Sequence, residues 1–167
     1  MSFELTMKRF FIIIISVYLF FLIEFLLFDI FGRWGKPDLL LLLIIFYNLY
    51  LGIRHGLVCA FFAGFLKDVF SPDVVGTHIL LFMMCACLAI LLRRNFYQPG
   101  SRLSRLMVTL GVVVSYVLAW TVLQSMSYDV QWLEIFRHVF LPEVLTTMVV
   151  ATFVFIKLKN MAVRIQL

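Results

Sequence analysis

Charged side chains are so rare in this sequence, and so confined to the ends of apolar runs, that water cannot be the main solvent of the folded chain. From Phe10 to Phe28 the only charged residue is Glu24, and from Leu39 to Ile53 there is none. Gly76 to Leu92 and Leu106 to Leu123 are also uncharged, and Val139 to Ile156 carries only Glu143. Overall 64% of the residues are hydrophobic and 14% charged, where a soluble domain carries about a quarter charged. Too few polar groups remain to coat a water-facing surface. The solvent is lipid.

The apolar runs predict an all-α membrane protein, a compact bundle of about six transmembrane helices. Their expected bounds are about 10–31, 39–53, 57–70, 76–92, 106–123 and 139–156, within a single integral membrane domain over 1–167. Lys8 and Arg9 precede the first run, which exceeds the ~7–15 apolar residues of a signal peptide and lacks a small-residue cleavage site. It reads as an uncleaved first span. Gly32, Gly35 and Pro37 break the chain after it, and Arg54-His55-Gly56 is expected to turn the second span into the third. Those two spans are short, at ~22 Å of helix each against a hydrocarbon core of ~30 Å. Pro142 falls in the first turn of the last span, where a missing N–H costs least.

Orientation follows from Lys and Arg. With the N-terminus inside, the inner side receives Lys8, Arg9, Arg54, Arg93, Arg94, Arg102, Arg105, Lys157, Lys159 and Arg164. The outer side receives Arg33, Lys36, Lys67 and Arg137. Both termini are therefore expected in the cytoplasm. Acidic residues segregate oppositely: Glu4 lies inside, while Asp29, Asp38, Asp68, Asp73, Asp129, Glu134 and Glu143 lie toward the outer face. The basic side suits anionic inner-leaflet lipid. Because topology explains the pI of about 9.3, nucleic acid is excluded as a partner.

The informative stretch is Gly52 to Gly76. Gly52, Gly56, Ala60, Gly64 and Asp68 recur every four residues and so stack along one helix face. Small residues in such a stripe let a neighbouring backbone approach closely, which reads as a packing seam. Asp68 ends the stripe, with Lys67 as a local ion partner. Its carboxylate is expected to cap Ser71 or the turn Ser71-Pro72-Asp73, and Gly76 allows a tight start to the fourth span. A helical hairpin also returns Asp38 and Asp68 to the outer level, near Pro142-Glu143. This acidic rim reads as a solvated edge, or as a site for a cation or a basic partner.

Pro37-Asp38 followed by Leu39 to Leu43, then Gly52, Gly64, Asp68, Ser71, Pro72 and Gly76, resemble the rod shape-determining protein MreD family. That family has a similar Pro-Asn/Asp start to one span and a Gly-x-x-x-Asp-x-x-Ser turn leading to a Gly. Length, charge topology and Pro142 extend the likeness over essentially the whole chain. The resemblance implies a multi-pass protein of the bacterial cell inner membrane, working in cell elongation. It implies association with MreC above all, with the actin-like MreB, the RodA glycosyltransferase and a class B penicillin-binding protein in a larger complex. It also implies a fold similar to the substrate-binding S-component of energy-coupling-factor vitamin transporters. Partner or structural roles fall on Pro37, Asp38, Gly56, Gly64, Asp68, Ser71, Pro72, Gly76 and Glu24.

Catalytic signals are missing from the sequence. Cys85 and Cys87 sit two apart on a helix, so their side chains diverge and cannot share a metal; with Cys59 they read as buried small hydrophobes. His55, His78 and His138 are isolated, with no zincin, triad or nucleophile-elbow pattern. No cofactor is expected. Trp34, Trp132 and Tyr128 outside and Tyr97 inside read as interfacial anchors. Glu24 lies ~21 Å into the first span with no basic residue evidently at its depth, so it must face protein, pair or stay protonated. A packing or hydrogen-bonding role and a ligand or partner contact both remain open for it.

Three functions fit these readings. The first is a non-enzymatic scaffold of the elongation machinery, coupling a cytoplasmic filament to lateral peptidoglycan synthesis and maintenance of rod shape. The alternative is a vitamin-type substrate-binding membrane subunit of a transporter, using the acidic rim and Glu24. The third, a lipid-modifying membrane enzyme, needs Asp38, Asp68, Asp73 and His78 to converge, and their spacing matches no acid–base scheme.

Overall fold

The computed structural model describes residues 2–31, 37–71, 76–96, 101–127 and 141–164. These form six helices: α1 Ser2–Phe31, α2 Leu39–Leu51, α3 Ile53–Phe70, α4 Thr77–Phe96, α5 Arg102–Ser127 and α6 Leu141–Arg164. Trp34, Pro72, Asp73, Tyr97, Tyr128, Trp132 and His138 lie outside the described residues, as do the side chains of Asp29, Pro142 and Glu143.

Several helices outrun the apolar runs that announced them. α1 has 30 residues, ~45 Å of helix, and begins well before Phe10. Backbone hydrogen bonding continues where hydrophobicity stops, because the residues before Phe10 still favour helix. Three helices contain stretches long and apolar enough to cross a membrane, at Phe10–Leu27, Thr77–Phe96 and Leu103–Leu123. Leu39–Leu51 and Val144–Leu158 are shorter apolar helices.

The bend between α2 and α3 is not at Arg54-His55-Gly56 as the sequence suggested. It falls at Gly52, whose φ of +87° and ψ of −179° suit a residue without a Cβ. Its N–H bonds the Tyr47 carbonyl at 3.1 Å, closing α2, and its carbonyl accepts from Gly56 at 3.1 Å, opening α3. Arg54, His55 and Gly56 simply continue the new helix.

α2 is the axis of the bundle. Every residue from Leu39 to Leu49 is buried, and α2 packs against each of the other five helices. A helix apolar on all sides is stable only inside other structure, and α2 is inside protein. The surrounding helices bury one stripe each. α1 turns Ile13, Val17 and Glu24 inward while Phe11, Ile15, Tyr18, Leu22 and Phe25 face out; α5 buries Val108, Val112 and Tyr116. The outward faces of α3, α4 and α6 carry residues such as Phe65, Met84 and Phe153. An apolar exterior around a buried core is the arrangement lipid demands.

The small-residue stripe makes two close contacts. A Cβ on Gly64 would lie 2.5 Å from Ile79 Cα and 2.8 Å from Ile79 N, both backbone atoms of α4. A Cβ on Gly56 would instead collide with the side-chain amide of Asn48. That amide is fully buried and neither its nitrogen nor its oxygen has a partner among the described residues. Backbone cannot step aside, whereas an unpaired amide can rotate without losing a hydrogen bond. Gly64→Ala should therefore destabilise by about 1–3 kcal/mol and Gly56→Ala by clearly less. Melting of the two variants in detergent checks this, and equal losses would contradict the distinction.

The expectation of three buried thiols needs one correction. Cys59 and Cys85 are buried, but Cys87 is exposed, since two residues along α4 carry it round to the lipid-facing side.

Candidate functional site

The N-terminus of α2 must satisfy N–H groups that have no partner within the helix. Pro37, buried, directs the chain into this start, and Asp38 is the N-cap, its Oδ1 accepting from Leu41 N–H at 3.1 Å. A second carboxylate comes from a different helix: Glu24 Oε2 on α1 accepts from Leu40 N–H at 3.3 Å. Two acids at the positive end of a buried helix are electrostatically favourable. The backbone N–H of Asp38 donates to Thr147 Oγ1 on α6 at 3.3 Å.

Two buried carboxylates need counter-charge, and among the described residues Lys67 supplies it. Its Nζ lies 2.6 Å from Asp38 Oδ2 and 3.8 Å from Glu24 Oε1. It also donates to the Tyr116 hydroxyl on α5 at 3.2 Å. The ammonium stands 5.1 Å from the Phe82 ring centroid on α4 and 5.4 Å from that of Tyr116, within cation–π range. All six helices thus converge on one polar knot: Glu24, Asp38, Lys67, Phe82, Tyr116 and Thr147.

Asp68, adjacent in sequence, serves a second junction. On a helix neighbouring side chains diverge by ~100°, so Lys67 reaches the start of α2 and the middle of the bundle while Asp68 faces the first turn of α4. Its two oxygens accept from the backbone N–H groups of Gly76 at 2.9 Å, His78 at 3.0 Å and Ile79 at 3.3 Å. His78 Nδ1 lies 2.9 Å from Asp68 Oδ1; because an ionised carboxylate can only accept, that ring nitrogen carries the proton. The His78 ring in turn lies 4.7 Å from the Trp120 ring on α5. Asp68 is an N-cap delivered from the preceding helix. Gly76, at φ +101°, reverses the chain so that α4 starts under it, and the close approach at Gly64 sets the distance.

Two expectations are therefore corrected. Asp68 pairs with His78 and the start of α4 rather than with Lys67; of the turn expected at Ser71-Pro72-Asp73 only Ser71, the extended C-cap of α3 at φ −92° and ψ 143°, lies within the described residues. Nor do Asp38 and Asp68 form a solvated acidic edge; the side chain of Glu143, the third acid expected there, lies outside the described residues. Asp38 and Asp68 are each 3% exposed, consumed by helix starts and by Lys67 and His78. Glu24 has a base at its own depth after all.

Sequence reasoning missed Lys67 as a half-buried cation inside the bundle, together with Tyr116, Trp120 and Thr147. A lone Lys in an apolar run, with two lone acids in other runs, was the available signal for the first. The others look like ordinary residues of apolar helices. The arrangement is suited to locking helices together. The His78–Asp68 pair has its ring against Trp120, and the carboxylates of the knot are tied to N–H groups and an ammonium. Among the described residues no three His, Cys, Asp or Glu side chains are placed to hold a metal.

A family model described as rod shape-determining protein MreD matches residues 5–162. The chain belongs to that family. No curated protein and no solved structure matches it. Membership in the MreD family supports a role in rod-shape and elongation biology, and with the apolar helices it supports a membrane-associated protein. The MreD match spans both polar junctions and all six helices, so they belong to the family region of the chain.

Proposed function

We propose that this MreD-family protein is a non-enzymatic scaffold of the bacterial cell-elongation machinery, multi-pass in the inner membrane. In this reading it crosses the bilayer six times with both termini in the cytoplasm, in a bundle similar to the S-component of energy-coupling-factor transporters. Asp38, Lys67 and Thr147 then share the outer end, and the ends bearing Arg93 and Arg105 lie at the cytoplasmic side. The observation that carries the reading is the polar knot, in which every helix ties to Lys67 or to the start of α2. Such a knot suits a rigid body that holds partners in fixed geometry. MreC is the first partner, with MreB, RodA and a class B penicillin-binding protein completing the assembly.

A carrier of small molecules needs polar groups facing a cavity. Here Glu24, Asp38, Lys67 and Tyr116 face one another, which favours the scaffold.

Depletion of the protein from a rod-shaped host should round the cells, and affinity capture from intact membranes should recover MreC. Rods that persist after depletion, or capture lacking every elongation protein, would count decisively against a scaffold. Cysteine labelling adds the topology test: a Cys at Arg94 should be shielded from an impermeant reagent added outside the inner membrane.

A further inference from the structure

We infer that the crevice between α5 and α6 is a binding site for one anionic glycerophospholipid, with its phosphate on Arg105 and part of an acyl chain along Phe155. The inference rests on the orientation proposed above, which puts the start of α5 in the cytoplasmic leaflet. The crevice is a cavity of about 90 Å³ lined by Arg105, Leu106, Thr152, Phe155 and Ile156. Its floor and walls are apolar apart from Thr152, whose hydroxyl donates to the Met148 carbonyl of its own helix at 3.4 Å. Phe155 is buried beneath it, while Thr152 and Ile156 are exposed on the outer surface of α6. The neighbouring Leu103, Met107, Val149 and Phe153 are exposed apolar side chains, so the crevice opens where acyl chains would lie.

One strongly polar group lines this crevice. Arg105 lies one turn into α5, is only partly exposed, and spends one N–H on the Tyr50 hydroxyl at 3.0 Å. A guanidinium has five N–H donors in a rigid fork, so most of it stays free among the described residues to grip a phosphate in bidentate fashion. The Tyr50 bond orients the fork in advance, which reduces the ordering cost of binding. Exposed Lys157 follows Ile156 on α6 and adds positive charge on the same helix. A basic group closing an apolar crevice between helices on the cytoplasmic side fits an anionic head group with its chain attached. A soluble anion would use the arginine but not the apolar walls, and a zwitterionic lipid would present the same phosphate but bring its own cation against Arg105 and Lys157.

Native mass spectrometry of the purified full-length protein tests this, with phosphatidylglycerol and phosphatidylcholine titrated in separate arms. One phosphatidylglycerol should survive detergent washing, and phosphatidylcholine should bind about tenfold more weakly. Arg105→Gln should lower phosphatidylglycerol affinity about tenfold, the size expected for one lost charge-assisted contact. Ile156→Trp, which fills the crevice without touching charge, should also lower it. Tyr50→Phe should weaken binding less than Arg105→Gln, and Arg94→Gln, at a separate basic position on α4, should leave it unchanged. Equal retention of both lipids, an unaffected Arg105→Gln protein, or equal weakening by Arg94→Gln would overturn the site. Displacement by millimolar inorganic phosphate would show a free-anion site and overturn it as well. Lipid-free melting of each variant separates lost binding from lost folding. The scaffold proposal fails separately, on MreC capture, which this measurement does not use.

Discussion

Lys67→Met is expected to be the most damaging single substitution in this protein, at about 3–5 kcal/mol. It removes the half-buried cation that touches both the Asp38 and Glu24 carboxylates, which are 3% and 4% exposed, and so strips these two buried charges of the counter-charge seen among the described residues. Breaking a buried ion pair by deleting one partner is costly because the other partner keeps its desolvation penalty and loses its compensation. Thermal unfolding in detergent should show the loss as a much lower midpoint, or as failure to purify in one dispersed species. The combined variant Glu24→Gln/Asp38→Asn/Lys67→Met should recover a large part of the loss, because neutral amides still present an oxygen to the N–H groups of α2. A Lys67→Met protein as stable as the parent would mean that the knot does not hold the helices together. A combined variant no better than Lys67→Met alone would place the loss in packing rather than charge.

The second large effect is expected at Asp68. Asp68→Ala strips acceptors from three backbone N–H groups at the start of α4 and from His78 Nδ1. Loss of an N-cap costs about 0.5–2 kcal/mol and each buried donor left unpaired about 1–3 kcal/mol, so a total of about 2–4 kcal/mol is expected after local relaxation. Hydrogen exchange should rise first at residues 76–79, while α2 and α5 stay protected. Asp68→Asn keeps one acceptor oxygen and should fall between Ala and the parent. Uniform exchange across the bundle would show that Asp68 acts on the whole fold and not on the start of one helix. Because Gly64 meets the same helix by backbone contact, Gly64→Ala and Asp68→Ala are expected to be less than additive.

Particular residues show how far the sequence could be read. The MreD-family signature on Pro37, Asp38, Gly64, Asp68 and Gly76 was legible because each does something local: a cap, a close approach, a reversal of the chain. That Glu24 must face protein, pair or stay protonated was legible too, since an ionised carboxylate is costly among lipid tails. Its partner was not. Lys67 lies far along the chain, and its neighbour Asp68 offered a nearer candidate that helix geometry turns away. The turn at Gly52 was misplaced because polarity, at Arg54-His55, was read as the mark of a bend; the backbone conformation that only glycine takes easily decided it instead.

Hydropathy by itself pointed to a helical, membrane-associated chain, because satisfying backbone hydrogen bonds away from water favours the helix. It also determined roughly where the helices lie. What only the tertiary structure decided is which helix sits at the centre and which charges meet. Among the described helices α2 is the one without charge, yet where lipid can solvate an apolar surface that pattern suits a peripheral helix as well as a central one, so hydropathy alone did not rank it. α2 becomes the axis because Glu24, Asp38, Lys67, Tyr116 and Thr147 can all reach its first turn only when the other helices surround it.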